Sequence, residues 1–346
     1  MKFFDVSGVG NSGKSAVVDI LREVEGLFVP EYWFEFDFIR VRGGLLDLRH
    51  CLLEDWSPVR SHAAYFSFVD VVNKMGLDPA PWDLVGLLLS TSQRYDRRFK
   101  GQFRKLSLEF LEQFKVGSYR AEWPYDGLKE NPLSRFIKKI LRRIGLRKNL
   151  ARDVLLLDGN NFDVAARDYL EKLYGLIVSS DCDGIVLNNG FEPFNPALGL
   201  DMLGARQIVV TRDPRDVYVS GLNHHNVSSE DANLLSFDND GINKSFLATD
   251  DLALFVKRYR LYQEKVFSGI RPDVLHVPFE RLTTESKLYT AKILEFLEID
   301  SARHTRRHLF FDPARSAKNV GLWKSYSRQD EIRYIESQLG IYLVDV

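Results

Sequence analysis

The sequence predicts an α/β protein: a three-layer fold with a mostly parallel central sheet and a helical insertion or lid at about residues 58–150, all in one domain. Three observations predict it. Short apolar runs alternate with helical periods at both ends of the chain, the pattern of strands joined by helical crossovers. A glycine-rich loop follows the first run and opens a helix. Between Pro58 and Leu150 the short runs give way to long helical periods, with polar or glycine-rich punctuation around Gly117–Asn131.

Composition narrows the class. The chain has 346 residues, 45% hydrophobic and 27% charged, too apolar for a disordered protein. A net charge of −1 excludes a uniformly basic nucleic-acid binder. Two cysteines, Cys51 and Cys182, are too few for a disulfide framework and lack metal-ligand spacing. No run approaches the roughly 18 apolar residues of a membrane span, and Met1–Asp5 lacks the apolar core of a secretory signal. The expected setting is soluble and cytoplasmic.

In chain order, Phe3–Ser7 reads as a buried strand and Ala16–Glu25 as a helix that ends near Gly26. Glu31–Phe38 alternates as a strand would. Glu31, Trp33, Glu35 and Asp37 fall on one face, with Tyr32, Phe34, Phe36 and Phe38 on the buried one. Val154–Leu157, Gly184–Leu187, Gln207–Thr211 and Val274–Val277 read as further strands.

Gly8-Val9-Gly10-Asn11-Ser12-Gly13-Lys14-Ser15 fits the phosphate-loop pattern G-x-x-x-x-G-K-[ST] at every position, between a strand and a helix. Its glycines let successive N–H groups curl inward, and the helix N-terminus adds positive potential. Gly10, Asn11, Ser12, Gly13, Lys14 and Ser15 are the candidate phosphate contacts. By itself the loop favours a kinase that uses ATP and Mg²⁺ on a small molecule or sugar. Lys14 and Ser15 would be its core, with Asp158, after Val154–Leu157, as the Mg²⁺ carboxylate. Asp158-Gly159 reads equally well as a turn.

The second half of the chain points elsewhere. Val209–Ser220 reads as a strand, a proline turn and a helix start. Arg212 at the strand end and Ser220 two turns into the helix are spaced to bring a guanidinium and a hydroxyl to one phosphate. Alternatively, an Arg and an Asp simply pin the strand–helix corner.

Arg212-Asp213-Pro214-Arg215-Asp216, through Ser220, resembles the 3′-phosphate-binding motif of sulfotransferases that use 3′-phosphoadenosine-5′-phosphosulfate (PAPS). Val277–Leu282, followed by Ile293–Leu297, is similar to that family's strand and helix before its last motif. Lys318–Lys324 resembles the last motif itself. The resemblance covers the loop and roughly residues 184–340. It implies a phosphate-loop fold and sulfuryl transfer from PAPS to an acceptor hydroxyl, leaving 3′-phosphoadenosine-5′-phosphate, with no metal. Ser12, Gly13 and Ser15 would then hold the 5′-phosphate, and Lys14 would sit as the cation near the bridging oxygen. Arg212 and Ser220 would hold the 3′-phosphate, and Lys318, Gly321 and Trp323 would lie at the nucleotide. Two motifs, the loop and the last one, depart from the family pattern. Asn11 stands where the loop usually has Lys or Arg, and Lys14-Ser15 follow Gly13 where hydroxyl residues are usual. Ser316 and Ala317 replace the basic residue before Gly321, so that Arg315 or Lys318 would have to substitute.

An acceptor hydroxyl needs a base. A carboxylate soon after the loop serves in the glycan-modifying branch of that family, which makes Glu35 the first candidate and a glycan or glycolipid the expected acceptor. Trp33, on the same face, is suited to stack on a sugar ring. His62 is the second candidate base. Asn188-Asn189-Gly190, after a strand end, either touch the acceptor or form a turn.

Charge is uneven within the predicted insertion. Leu133, Phe136, Ile137, Ile140, Leu141 and Ile144 share one helical face. Arg135, Lys138, Lys139, Arg142, Arg143, Arg147, Lys148 and Arg152 surround it, without an acid between Asn131 and Arg152. Without these eight cations the chain would stand at −9 rather than −1. Such a segment fits an anionic membrane surface or anionic ligand, or is a solvated face. Nucleic acid is not expected, because no base-reading module accompanies it.

Overall fold

The computed structural model describes all residues except 32–33, 81, 90–92, 122–130, 146–150, 192, 231–245, 269–270 and 346; the side chains of residues 89 and 224–230 are also outside the described set. The chain divides into two compact units, Met1–Asp37 with Val178–Val346, and Phe38–Ile177. The second contains the predicted insertion and extends beyond it at both ends. The described strands are β1 (Lys2–Ser7), β2 (Leu27–Phe28), β3 (Lys115–Ala121), β4 (Arg152–Leu157), β5 (Gly184–Asn188), β6 (Arg206–Thr211) and β7 (Val274–Pro278).

In the first unit five parallel strands pair in the order β2-β5-β1-β6-β7. Parallel strands need crossovers that cover both faces, so their residues are apolar in continuous runs. Phe3–Ser7 and Gly184–Asn188 are buried throughout, as that requires. Alternate residues of β6 feed opposite layers. Ile208 and Val210 join Val17, Val18, Ile20 and Leu21 of the helix Lys14–Arg22, whereas Val209 joins Val217, Tyr218, Phe255 and Tyr259. The α/β three-layer architecture read from the sequence is therefore present. Val6 pairs with Asn188, and Ser7 with Val209, so β1, β5 and β6 present their C-terminal ends together. The chain leaves β1 toward one side of the sheet and passes from β5 to the other, which makes these ends a topological switch point, where open α/β sheets bind ligands.

The second unit is mainly helical. Its core is aromatic: Phe38 meets Phe103 edge-on at 5.0 Å and Phe110 stacks on Tyr169 at 5.0 Å. β3 and β4 form its antiparallel pair.

Five expectations are corrected. Glu31–Phe38 is not a strand among its described residues. Phe34 N–H donates to the Glu31 carbonyl at 2.9 Å, so a local turn uses the groups that a partner strand would need. Phe34, Phe36 and Phe38 are nevertheless buried; Tyr32 and Trp33 lie outside the described residues. Val154–Leu157 does form a strand, within β4, but it pairs with β3 and does not join the parallel sheet. β3 lies in the stretch read as punctuation, because its exposed residues carry no apolar alternation. The first helix ends at Arg22, ahead of Gly26. The basic segment is not one helix to Arg152: the helix closes at Arg143, Gly145 follows with φ 82°, and Arg152 opens β4. Arg147 and Lys148 lie outside the described residues.

Candidate active site

The phosphate loop is shaped by close backbone contacts. Gly13 takes φ 86°, and a Cβ there would lie 2.2 Å from Cδ2 of Phe279. At Gly8 a Cβ would lie 2.3 Å from Oγ of Ser12. Neither position admits a side chain, so the loop is a cradle of bare backbone. Ser12 N–H closes it by donating to the Val9 carbonyl at 3.1 Å. No side chain caps the helix that Gly13 opens, which leaves its N-terminus suited to an anion. Gly10 and Ser15 are exposed, whereas Oγ of Ser12 is buried with no hydrogen-bond partner.

Four predicted residues converge beside the loop. Lys14 Nζ donates to Glu35 Oε1 at 2.7 Å and to Asn188 Oδ1 at 2.7 Å. Asn189 Nδ2 donates to the same Glu35 oxygen at 3.2 Å, while its Oδ1 accepts from Gly8 N–H at 3.0 Å. The parallel register places Asn188 and Asn189 here at the end of β5. Asp5, buried in β1, fixes the turn by accepting from Gly190 N–H at 2.7 Å. Burial pushes the Asp5 carboxyl up, against the pull of its bonds to Ser7, Gln207 and Gly190.

Arg212, at the end of β6, is buried. Its guanidinium donates to the Asn11 carbonyl at 2.9 Å and also to the Asn319 carbonyl, while lying over the Phe279 ring at 5.2 Å. Arg212 thus ties the phosphate loop to the Lys318–Lys324 segment; its Nε is buried without a partner. The corner is pinned by Arg215, which forks onto Asp213 at 3.0 and 2.8 Å. Ser220 is buried in the helix Pro214–Glu230, next to Gly221, where a Cβ would lie 3.7 Å from Asn11 Nδ2. Asp216 accepts from Gly321 N–H at 2.7 Å and Trp323 N–H at 3.3 Å, so the last motif is fastened to the Arg212 motif. Arg215 covers one face of Trp323 at 3.8 Å, and Nε1 of Trp323 is buried without a partner. Lys318 is exposed.

The other two candidates belong to the second unit. Nδ1 of His62 accepts from Leu155 N–H at 3.0 Å, which ties the helix Pro58–Gly76 to β4. Asp158 accepts from both the backbone and the side chain of Asn160, a turn contact. The strands flanking β1 end in Asn188 and Thr211, so no neighbour of the phosphate-loop strand ends in Asp158.

Sequence reasoning assigned no role to Phe279, Glu280 or Asn319. Phe279 packs on Gly13 and Arg212. Glu280 is fully buried and accepts from Asp213 N–H at 2.8 Å. The only available signal for Phe279 and Glu280 was their place beside Pro278 in the Val277–Leu282 run. Burial raises the Glu280 carboxyl to about 7, and also raises Asp216, with Arg212 pulling both down. The folded protein therefore holds a proton on Glu280 that the unfolded chain, near 4.5, releases earlier. Stability falls as pH rises between those values and levels off above. In Glu280→Gln, whose carbonyl can still accept from Asp213, this decline disappears. Denaturant melts at pH 4.5 and 8 should differ in the variant's relative stability by up to about 3 kcal/mol, with Gln favoured at high pH. Parallel pH profiles for both proteins would show that Glu280 is ionised throughout.

The sulfotransferase domain family model matches residues 201–339, a span that holds Arg212, Ser220, Glu280 and Trp323 but not the phosphate loop. Among solved structures, the chain is similar to the sulfotransferase domain of the Synechococcus PCC 7002 olefin synthase (TM-score 0.40, 14% identity), with 100% of this chain and 95% of that one covered. It is also similar to the sulfotransferase domain from the curacin biosynthetic pathway (TM-score 0.39, 12% identity), covering 98% and 97%. A Mycobacterium avium sulfotransferase gives a TM-score of 0.38 at 12% identity, covering 99% and 76%. No curated protein matches the sequence.

Proposed function

We propose that this chain, a sulfotransferase by its domain at residues 201–339, moves the sulfuryl group of PAPS to a hydroxyl of a glycan or glycolipid. One observation carries the reading. Ser12 Oγ, Arg212 Nε and Trp323 Nε1 are buried donors without partners, one on each of the three segments that meet here. Buried donors are normally satisfied, and a nucleotide phosphorylated at both ends offers acceptors to such a set. The bare backbone at Gly8 and Gly13 fits the same ligand.

On this reading Gly10, Asn11, Ser12, Gly13 and Ser15 hold the 5′-phosphate, and Arg212 and Ser220 hold the 3′-phosphate. Lys318, Gly321 and Trp323 line the nucleotide. PAPS, when bound, supplies a sulfuryl group whose bridging phosphate oxygen gains charge as its bond to sulfur breaks. Lys14 stabilises that charge. Glu35 takes the proton of the acceptor hydroxyl as its oxygen bonds to sulfur, so charge and atoms balance. The ion pair of 2.7 Å between Lys14 and Glu35 supports this pairing of roles. A carboxylate base supports a carbohydrate acceptor through the resemblance to the glycan-modifying branch. Cys51 and Cys182 are both free thiols, which agrees with a cytoplasmic setting.

Thermal stabilisation by 3′-phosphoadenosine-5′-phosphate, set against ATP with Mg²⁺, tests the donor. The 3′-phosphorylated nucleotide should raise the melting temperature in the presence of EDTA, and AMP should do so far less. Stabilisation by ATP alone, abolished by EDTA, would replace this reading with that of a kinase.

A further inference from the structure

The second unit carries a twelve-residue helix, Pro132–Arg143, in which no residue is buried. Its start is well made: Pro132 occupies the first turn and Asn131 caps it by accepting from Ser134 N–H at 2.8 Å. A helix this short is marginal in water unless an apolar face finds cover. Here the face is open. Leu133, Phe136, Ile137 and Ile140, with Ile144 just beyond, recur at helical spacing, and Leu133 is 68% exposed, Phe136 60% and Ile144 62%. Arg135, Lys138, Lys139, Arg142 and Arg143 occupy the opposite and flanking positions, and the helix has no acid. The same unit exposes a second apolar run, Leu84, Val85 and Leu88, next to Trp82, which is 84% exposed. Among the described residues no helix is long and apolar enough to cross a membrane.

We propose that the helix Pro132–Arg143 docks the protein onto an anionic lipid surface. Leu133, Phe136, Ile137 and Ile140 would reach the headgroup–acyl boundary, and the cations would face the anionic headgroups. The chemistry selects lipid over other polyanions. A nucleic acid matches the five cations but offers no apolar phase for the facing stripe, whereas a bilayer supplies both within one helix diameter. The wall of cations without an acid also favours anionic over neutral lipid.

Flotation of the full chain with phosphatidylcholine vesicles, with and without phosphatidylserine, tests this at low and high salt. Partitioning at least about tenfold stronger onto the anionic vesicles, and weakened by salt, is expected. Phe136→Ser with Ile140→Ser should lower it at least about tenfold, as should Lys139→Glu with Arg143→Glu. The charge-keeping pair Lys139→Arg with Arg143→Lys should bind as the wild type does. All three exposed-face variants should melt as the wild type does, which separates lost docking from lost folding. Absence of binding to anionic vesicles, equal binding to neutral ones, or full binding by either disruptive pair would overturn the proposal. Capture of a soluble acidic protein without vesicle binding would do the same.

Discussion

Glu35→Gln is expected to lower turnover by about 100-fold to 10,000-fold, the range for a lost general base, while binding of 3′-phosphoadenosine-5′-phosphate stays within about threefold. Gln presents a carbonyl oxygen where Glu35 Oε1 accepts from Lys14 and Asn189, so the loop's hydrogen bonds survive. What it cannot do is take a proton. Lys14→Ala should behave differently: it removes a donor that serves binding as well as transition-state charge, so nucleotide affinity and turnover both fall. The contrast between the two variants separates the base from the cation. Full activity in Glu35→Gln would move the proton to another group. His62→Gln would then be the next test, although the Nδ1 contact with Leu155 favours a structural role for that ring.

Arg212→Ala should weaken binding of 3′-phosphoadenosine-5′-phosphate at least about 100-fold more than that of AMP. The reasoning rests on what each nitrogen does. Two carry the bonds to the Asn11 and Asn319 carbonyls and hold the loop to the last motif, whereas Nε remains unsatisfied. The variant should also melt at a lower temperature, because both carbonyls lose their donor. Arg212→Lys, with a single ammonium, cannot reproduce the fork and should recover little. An equal loss for both nucleotides, in calorimetric titration, would reduce Arg212 to a clamp.

The parallel sheet was legible because β1, β5 and β6 are buried on both faces and stand out as apolar runs, and the half-buried edge strand β7 keeps an apolar run too. The phosphate loop was legible because backbone geometry restricts it to few residue types, as Gly13 against Phe279 illustrates. Lys14 and Glu35, 21 positions apart, were named separately, and the structure joins them in one ion pair. Glu35 was reached through a strand that does not form. The alternation reported which side chains are buried, not which backbone groups pair. β3 was invisible because its exposed residues leave no periodicity, so β4 was legible as a strand but its antiparallel partner was not. The double tie of Arg212 and the burial of Glu280 depend on contacts across 67 to 201 positions, for which local pattern holds no signal.

Transfer of radiolabel is the most direct measurement of the donor chemistry. The full chain would be incubated with hydroxyl-bearing glycans and glycolipids in the presence of EDTA, either with PAPS labelled in its sulfuryl group or with ATP labelled in its terminal phosphate. The expected result is label on the acceptor from PAPS alone, matched by release of 3′-phosphoadenosine-5′-phosphate and lost in Glu35→Gln. Label passing only from ATP, and only when Mg²⁺ is restored, would contradict it.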